Sequence, residues 1–536
     1  MKKWGLILLA ILLISVLFVS ACAQAEQTTK PGATTTAPAK TTTAAPATTA
    51  STPQYGGYVK IISTPGITSL GYPGKMTFGG EQQLERPAIQ YLLSRDPQTK
   101  QYTGELATSF AYNADYTTFT MMLRKGVKFH DGTDFNAEAV KYNFELVKKG
   151  YRSADLQYVT SIDILDPYTL RLSFSQFDVG FMDNMCSMSG SMVSPTYLKS
   201  LTNDADFKPV GTGPYKFVSY QRDVSLKFER FDGYWGGKPY LDGLEFVFVA
   251  DPVTQLASFK AGEADILRQI DIVGALDLEK AGKYTLLKYP QQIWGIAGDG
   301  GHSDSIFSDI RIRRAISYAI DTEAIAKAIG KGYFETTNQW DKKNGMYYNP
   351  NVVGYPYNPQ KAKDLLTEAG YPNGFQTKLS LPSAVPTPDM MQMVQNYLNS
   401  VGIKATLDTM DPSKYNQFAK DGWTNQLGFF WIASANGVVD GFKSKMTSKA
   451  TGFSPKCLLI PDDYNAKYLA AATEPDLAKR KALFQEFLKL ATDQYCVATP
   501  ILQNYYFKVT TPKVHDCDMF DYGMNEWRPE RMWISK

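Results

Sequence analysis

"LRKGVKFHDGTDFNAEAVKYNFE", residues 123–145, carries one of only three histidines in a chain of 536 residues. His130 stands beside Asp131, and Gly132 follows. A catalytic His-Asp pair also needs a nucleophile and correct orientation, which sequence neighbours cannot supply by themselves. Asp-Gly is equally turn chemistry. The flanks favour the turn. Upstream, Asn113-Ala114-Asp115 reads as a turn, after which Phe119, Met121 and Leu123 alternate with Thr118, Thr120 and Met122. That period of two predicts a strand. Downstream, Asn136 is placed to cap a helix and Glu138 suits its first turn. Val140, Phe144 and Val147 then share one face, and Gly150 ends it. His130 is therefore expected in a strand-to-helix connection and dispensable for chemistry.

The composition fits a globular protein, 44% hydrophobic and 20% charged, and the chain is too long for one ordinary core. Two or more lobes are expected. The formal net charge is +3, of which Lys2 and Lys3 supply two, and no long basic run occurs. Nucleic acid is thus not an expected partner. Aromatics reach 13%, enough for an aromatic-lined surface as well as a core. No G-x-S-x-G, H-E-x-x-H or C-x-x-C motif is present, nor a Walker A loop. No metal, cofactor or catalytic residue is expected, and any energy must come from a separate ATPase.

The chain opens "MKKWGLILLAILLISVLFVSAC", two lysines before an uncharged apolar run over residues 6–19. The run is short for a membrane span and suits a signal peptide, expected over residues 1–21. Its end, Val19-Ser20-Ala21-Cys22, resembles the bacterial lipobox. The resemblance implies that Cys22 receives a diacylglyceryl group and becomes the mature N-terminus. Two acyl chains anchor stably, at about 0.8 kcal/mol per buried methylene. The alternative is an ordinary secretory peptide cut at Ala21, with Cys22 a bystander. Residues 22–54 then hold Thr, Ala and Pro and no large apolar side chain after Gln24. Such a stretch cannot bury enough surface to fold and reads as a disordered tether. Cys186, Cys457, Cys496 and Cys517 remain, allowing three pairings; one structural disulfide, or none, is expected.

"LATSFAYNADYTTFTMMLRKGVKFHDGTDFNAEAVKYNFE" resembles the signature region of the family 5 extracellular solute-binding proteins, the dipeptide, oligopeptide and nickel receptors of ABC importers. Further segments carry the resemblance. "PVGTGPYKFVSY", from Pro209, looks like the family's turn into a strand, with Gly211 and Gly213 read as supplying conformational freedom. "FERFDGYWGGKPYLDGLEFVFV" and "QLASFKAGEADIL" follow as paired strands and then helix, turn and strand. "FSDIRIRRAISYAID" resembles the start of a second lobe, with Asp309 a cap and Ile312, Ala315, Ile316, Ala319 and Ile320 an apolar face. In "YNPQKAKDLLTEAGYPNGF", Asn358 caps, Pro359 opens the helix, Ala362, Leu365, Leu366 and Ala369 form a stripe, and Gly370 closes it.

The resemblance implies an α/β, two-lobe periplasmic binding protein type II-like fold with hinge crossovers and an extra subdomain in the first lobe. The expected divisions are 55–295 for lobe I, with the smaller subdomain at about 96–205, then 296–504 for lobe II and 505–536 for a C-terminal return. Crossovers are expected near 291–299 and 500–508. The implied role is a non-catalytic receptor handing solute to permease subunits. A monomer is expected, lipid-anchored at the outer face of the cytoplasmic membrane.

A ligand should lie between the lobes near the crossovers. Trp294 falls at the first. Trp431 lies in "LGFFWIASANGVVDGF", where the family places cleft residues. Core packing is the competing reading for both tryptophans. Tyr72 is a further candidate. Peptide-binding members usually carry an aspartate three residues after this tryptophan, paired with the ligand's ammonium. Here that position is Ser434. Enclosing an ammonium without a counter-charge is costly, so Asp440 or Asp299 would have to substitute. A peptide remains the first expectation, with an oligosaccharide or another polar solute as the alternative. The alternatives from other classes are a membrane-tethered secreted hydrolase and an adhesion or signalling receptor built on the same fold.

Overall fold

The computed structural model describes residues 52–67, 69–75, 82–96, 99, 101–203, 207–383, 388–433, 438–448, 450, 457–519 and 527–536. Cys22 and the tether up to residue 51 lie outside them. No disulfide joins the four other cysteines.

The sheet is built around two long antiparallel strands, Thr285–Gly298 and Thr499–Thr510, paired from Thr285↔Thr510 to Ile296↔Thr499. The first continues the sheet through Leu427–Ala433, Phe375–Pro382 and Ile403–Met410. The second continues it the other way, through Ile266–Ile270, Tyr58–Ser63, Gly243–Phe248, Ser225–Arg230 and Tyr215–Gln221. The short strand Glu335–Thr336 also pairs with the second long strand. The residues expected as crossovers fall in these two strands, except Asp299, one position beyond.

Helices cover both faces. Val59 and Ile61 enter one apolar cluster and Ile62 another, because successive side chains point to opposite faces. A sheet buried on both sides reads as unbroken apolar runs rather than as alternation. Around Leu427–Ala433 a larger cluster gathers Ile293, Trp294, Ile312, Leu366, Leu379, Ile403 and Phe430. The two helices read in this part form as expected. Ile310–Ala319 is capped by Asp309, which accepts from the Arg311 N–H. Pro359–Glu368 is capped by Asn358, which accepts from Lys361 N–H, with Ala362, Leu365 and Leu366 buried.

The opening stretch belongs to a separate antiparallel sheet, ordered Ala107–Tyr112, Thr118–Leu123, Thr169–Phe174, Val159–Asp166. Helix Ala137–Lys149 shares its core, burying Val140, Phe144 and Val147. Asn136 caps it by accepting from the Ala139 N–H.

His130 sits in the connection and works as a staple. Its backbone N–H donates to the Gly211 carbonyl at 2.9 Å. Its Nε2 lies 2.9 Å from the Gly213 carbonyl, which accepts only, so Nε2 carries the proton. Asp131 looks elsewhere, accepting from Ser194 Oγ and from the N–H and hydroxyl of Thr133. The two glycines differ from expectation. Neither has a positive φ. A Cβ on either would meet the Ala88 or Pro87 carbonyl, at 2.2 Å for Gly211 and 2.5 Å for Gly213. They are glycine because three backbones meet there, not for conformational freedom.

Burial pushes the His130 imidazole down to about 4 from 6.5. A depressed pKa means that the unfolded chain takes up the proton first. The associated stability is present above pH 6.5 and is lost as pH falls through 4, by up to about 3 kcal/mol. His130→Gln should flatten that stretch of the stability–pH curve in urea titrations from pH 7 to pH 4. At pH 7 it should leave ligand affinity unchanged.

Candidate binding site at the paired long strands

The strand register places Trp294 directly opposite Trp431. Directly opposed residues lie on one face of a sheet. Trp294 is 2% exposed and meets Phe429 edge-on, with centroids 6.0 Å apart. Phe429 in turn stacks on Trp431 at 5.5 Å. The indole N–H of Trp294 donates to Gln292 Oε1 at 2.9 Å. Trp431 is only half-buried and lies beneath the Lys445 side chain, whose Nζ stands 3.3 Å from the ring centroid. Burial drives the Lys445 ammonium well below its ordinary pKa. Tyr415 supports the cluster from behind, its hydroxyl donating to the Phe429 carbonyl.

Amide side chains continue the site along the long strands. Asn504 Oδ1 accepts from the Gln292 N–H at 2.7 Å, and Gln503 Nε2 donates to the Gln292 carbonyl at 2.9 Å. Asn504 Nδ2 is buried and has no hydrogen-bond partner among the described residues. On the other side, Arg268 donates to Gln83 Oε1 at 2.9 Å and to Ser63 Oγ at 2.7 Å. Burial lowers the Arg268 pKa to about 10, against the opposing influence of Tyr289. Gln82 is fully buried, and neither its amide oxygen nor its nitrogen has a hydrogen-bond partner among the described residues. Buried polar groups normally find partners, so such atoms mark places where a polar molecule can bond.

Of the residues singled out from sequence, the structure brings Trp294 and Trp431 together. Tyr72 is half-buried and meets Phe207 at the edge of the apolar cluster around Val59 and Leu244. Ser434 and the Asp440 side chain lie outside the described residues. Asp299 is already engaged within the protein. It is fully buried and its oxygens engage His302 Nδ1 at 2.6 Å and the Asn425 N–H at 2.7 Å. Arg268, Gln82, Gln83, Asn504 and Lys445 were not anticipated. A signal existed for Arg268, a charge set inside the strand Ile-Leu-Arg-Gln-Ile.

An α/β molecule with two long strands running between its halves, and aromatic and amide side chains gathered along them, has the architecture of a solute-binding protein. The family model for bacterial extracellular solute-binding proteins, family 5, matches residues 101–454, and the chain belongs to that family. It is 33% identical over 314 residues to a glutathione-binding protein of Pectobacterium atrosepticum, covering 57% of this chain and 60% of that one. The chain thus spans about three fifths of the length of that relative. In structure it resembles DppA from Helicobacter pylori in complex with the peptide STSA, with TM-score 0.78 and 23% identity, covering 90% and 99% of the two chains. It also resembles a dipeptide-binding protein from Pseudoalteromonas in complex with Met-Leu, with TM-score 0.79 and 21% identity, covering 89% and 100%. The fold is the two-lobe periplasmic binding protein type II-like fold.

Proposed function

We propose that the chain is the substrate-binding receptor of an ABC importer, not an enzyme. It takes a peptide-like solute between its lobes and presents it to permease subunits driven by a separate ATPase. The observation that carries this reading is the site itself. The half-buried Trp431, backed by the buried Trp294, supplies an apolar, stacking surface, and the buried amides of Gln82 and Asn504 have hydrogen-bonding capacity that the described residues leave unused. Peptide backbone offers the matching donors and acceptors at regular spacing. Peptide ligands also appear in the names of the two similar structures described above. The lobes divide as 55–295 and 296–504, with 505–536 returning to the first and a subdomain at about 96–205. The separate apolar clusters support that division.

Calorimetry with di- to pentapeptides against cello- and xylo-oligosaccharides tests the ligand class. Peptides should bind. Sugar binding with no peptide binding would replace the ligand and keep the receptor. Trp431→Ala should weaken the bound peptide by about 1.5 kcal/mol or more, because it removes stacking area from a half-buried ring. Unchanged affinity would move the site away from this strand.

Export rests on the N-terminal sequence. Residues 1–21 act as the signal peptide, Cys22 bears the lipid, and residues 22–54 tether a monomeric receptor to the outer face of the cytoplasmic membrane. Among the described residues, no helix is long and apolar enough to cross a membrane. Cys22→Ala should yield exported protein that leaves the membrane fraction. A variant that still sediments with membranes would refute the anchor.

A further inference from the structure

Loop 175–180 of the small antiparallel sheet reaches across to the other lobe. The Val179 N–H donates to the Ala472 carbonyl at 3.0 Å, at the end of helix Asp462–Ala472. The Val179 side chain packs against the apolar cluster of that lobe. Beside it, the Arg480 guanidinium lies 5.9 Å from the Phe177 ring. Arg480 also acts electrostatically on Asp183, a partly exposed carboxylate held by Arg95 at 3.5 Å and by the Tyr102 hydroxyl at 2.8 Å. A third contact is made by Lys443, whose Nζ donates to the Ala154 carbonyl at 3.0 Å and faces the buried carboxylate of Asp178. Acidic side chains on the subdomain therefore meet basic ones on the second lobe.

Lys443 connects this contact to the candidate site. It shares helix Val438–Lys445 with Lys445, which lies over Trp431. One short helix thus touches the subdomain with one lysine and the aromatic site with another.

We infer that loop 175–180 is a catch that holds the second lobe against the subdomain, and that Val179, Lys443 and Arg480 set ligand retention without touching ligand. This rests on the two-lobe receptor reading given above. A catch that raises the population of the closed form raises apparent affinity in proportion to that population. The contact is small and partly polar, as a reversible interface between domains should be.

The test needs no ligand. Amide hydrogen exchange and small-angle scattering are compared for the peptide-free full chain and Lys443→Ala/Arg480→Ala. The variant should exchange the Val179 amide about tenfold faster and scatter with a larger radius, while its urea midpoint stays that of the parent. A second variant, Val179→Cys/Ala472→Cys, should crosslink on oxidation and hold the radius near the compact value, about 23 Å for residues 53–536. Val179 exchange and radius equal to the parent's in the double alanine variant would overturn the catch. So would faster exchange accompanied by a lower midpoint throughout the chain, which would make the contact ordinary packing. Failure of peptides to bind in calorimetry would refute the ligand and leave this result standing.

Discussion

Arg86→Ala should lose about 3–5 kcal/mol of stability, because it leaves a buried carboxylate without its cation. Arg86 is 6% exposed and pairs with Glu105 at 2.9 Å. It also donates to the Trp527 carbonyl at 3.0 Å and the Ile89 carbonyl at 3.3 Å, and its guanidinium lies 4.6 Å from the Tyr91 ring. Burial is the largest single influence and lowers the Arg86 pKa, but the charge and hydrogen bond of Glu105, with Tyr91 and Glu530, together outweigh it and raise the pKa. One side chain thus joins the first lobe, the edge of the subdomain and the C-terminal segment. The urea midpoint measures the loss. Arg86→Met/Glu105→Leu should recover most of it, since replacing both charges by apolar groups removes the unpaired carboxylate. A single variant within 1 kcal/mol of the parent would show that water reaches Glu105.

Trp294→Ala should cost a similar amount, about 3–5 kcal/mol, as a large buried aromatic cut back to a methyl. The cavity would open between the long strand and Phe429, beneath Trp431. Stability and binding should therefore fall together, whereas Trp431→Ala, at a half-buried ring, should act mainly on binding. Trp294→Phe should restore most of the stability, because the edge-on contact with Phe429 survives while the bond to Gln292 is lost. Denaturant unfolding of the three variants beside peptide calorimetry separates these effects. Equal stability losses at both positions would contradict the difference in burial.

What the sequence determined by itself was local. Asn136, Asp309 and Asn358 each announce a helix, because a short side chain accepting from the first free N–H groups is a local event. The strand Thr118–Leu123 is legible because one face is buried and the other is not. The turn at His130 follows from its neighbours. Trp294 and Trp431 stood out through family resemblance; their placement opposite each other came from strand register.

The tertiary structure decided the rest. Gly211 and Gly213 look like flexible turn residues, yet they are glycine because the Pro87-Ala88 backbone passes within a Cβ's reach. Arg268 meets Gln83 and Ser63 across 185 and 205 positions of chain, so the strand pattern can mark the charge but not the partners that hold it. Lys445 at the end of a helix reads as a solvated charge favoured by the helix dipole. It becomes a candidate for the site only because the fold lays it over Trp431. Asp299 looks in sequence like an available counter-charge, and only the fold commits it to His302 and Asn425. The physical reason is common to all four. Backbone preference acts over a few residues, whereas the room left at a glycine, like the burial and pairing of a polar side chain, depends on which distant segments pack around it.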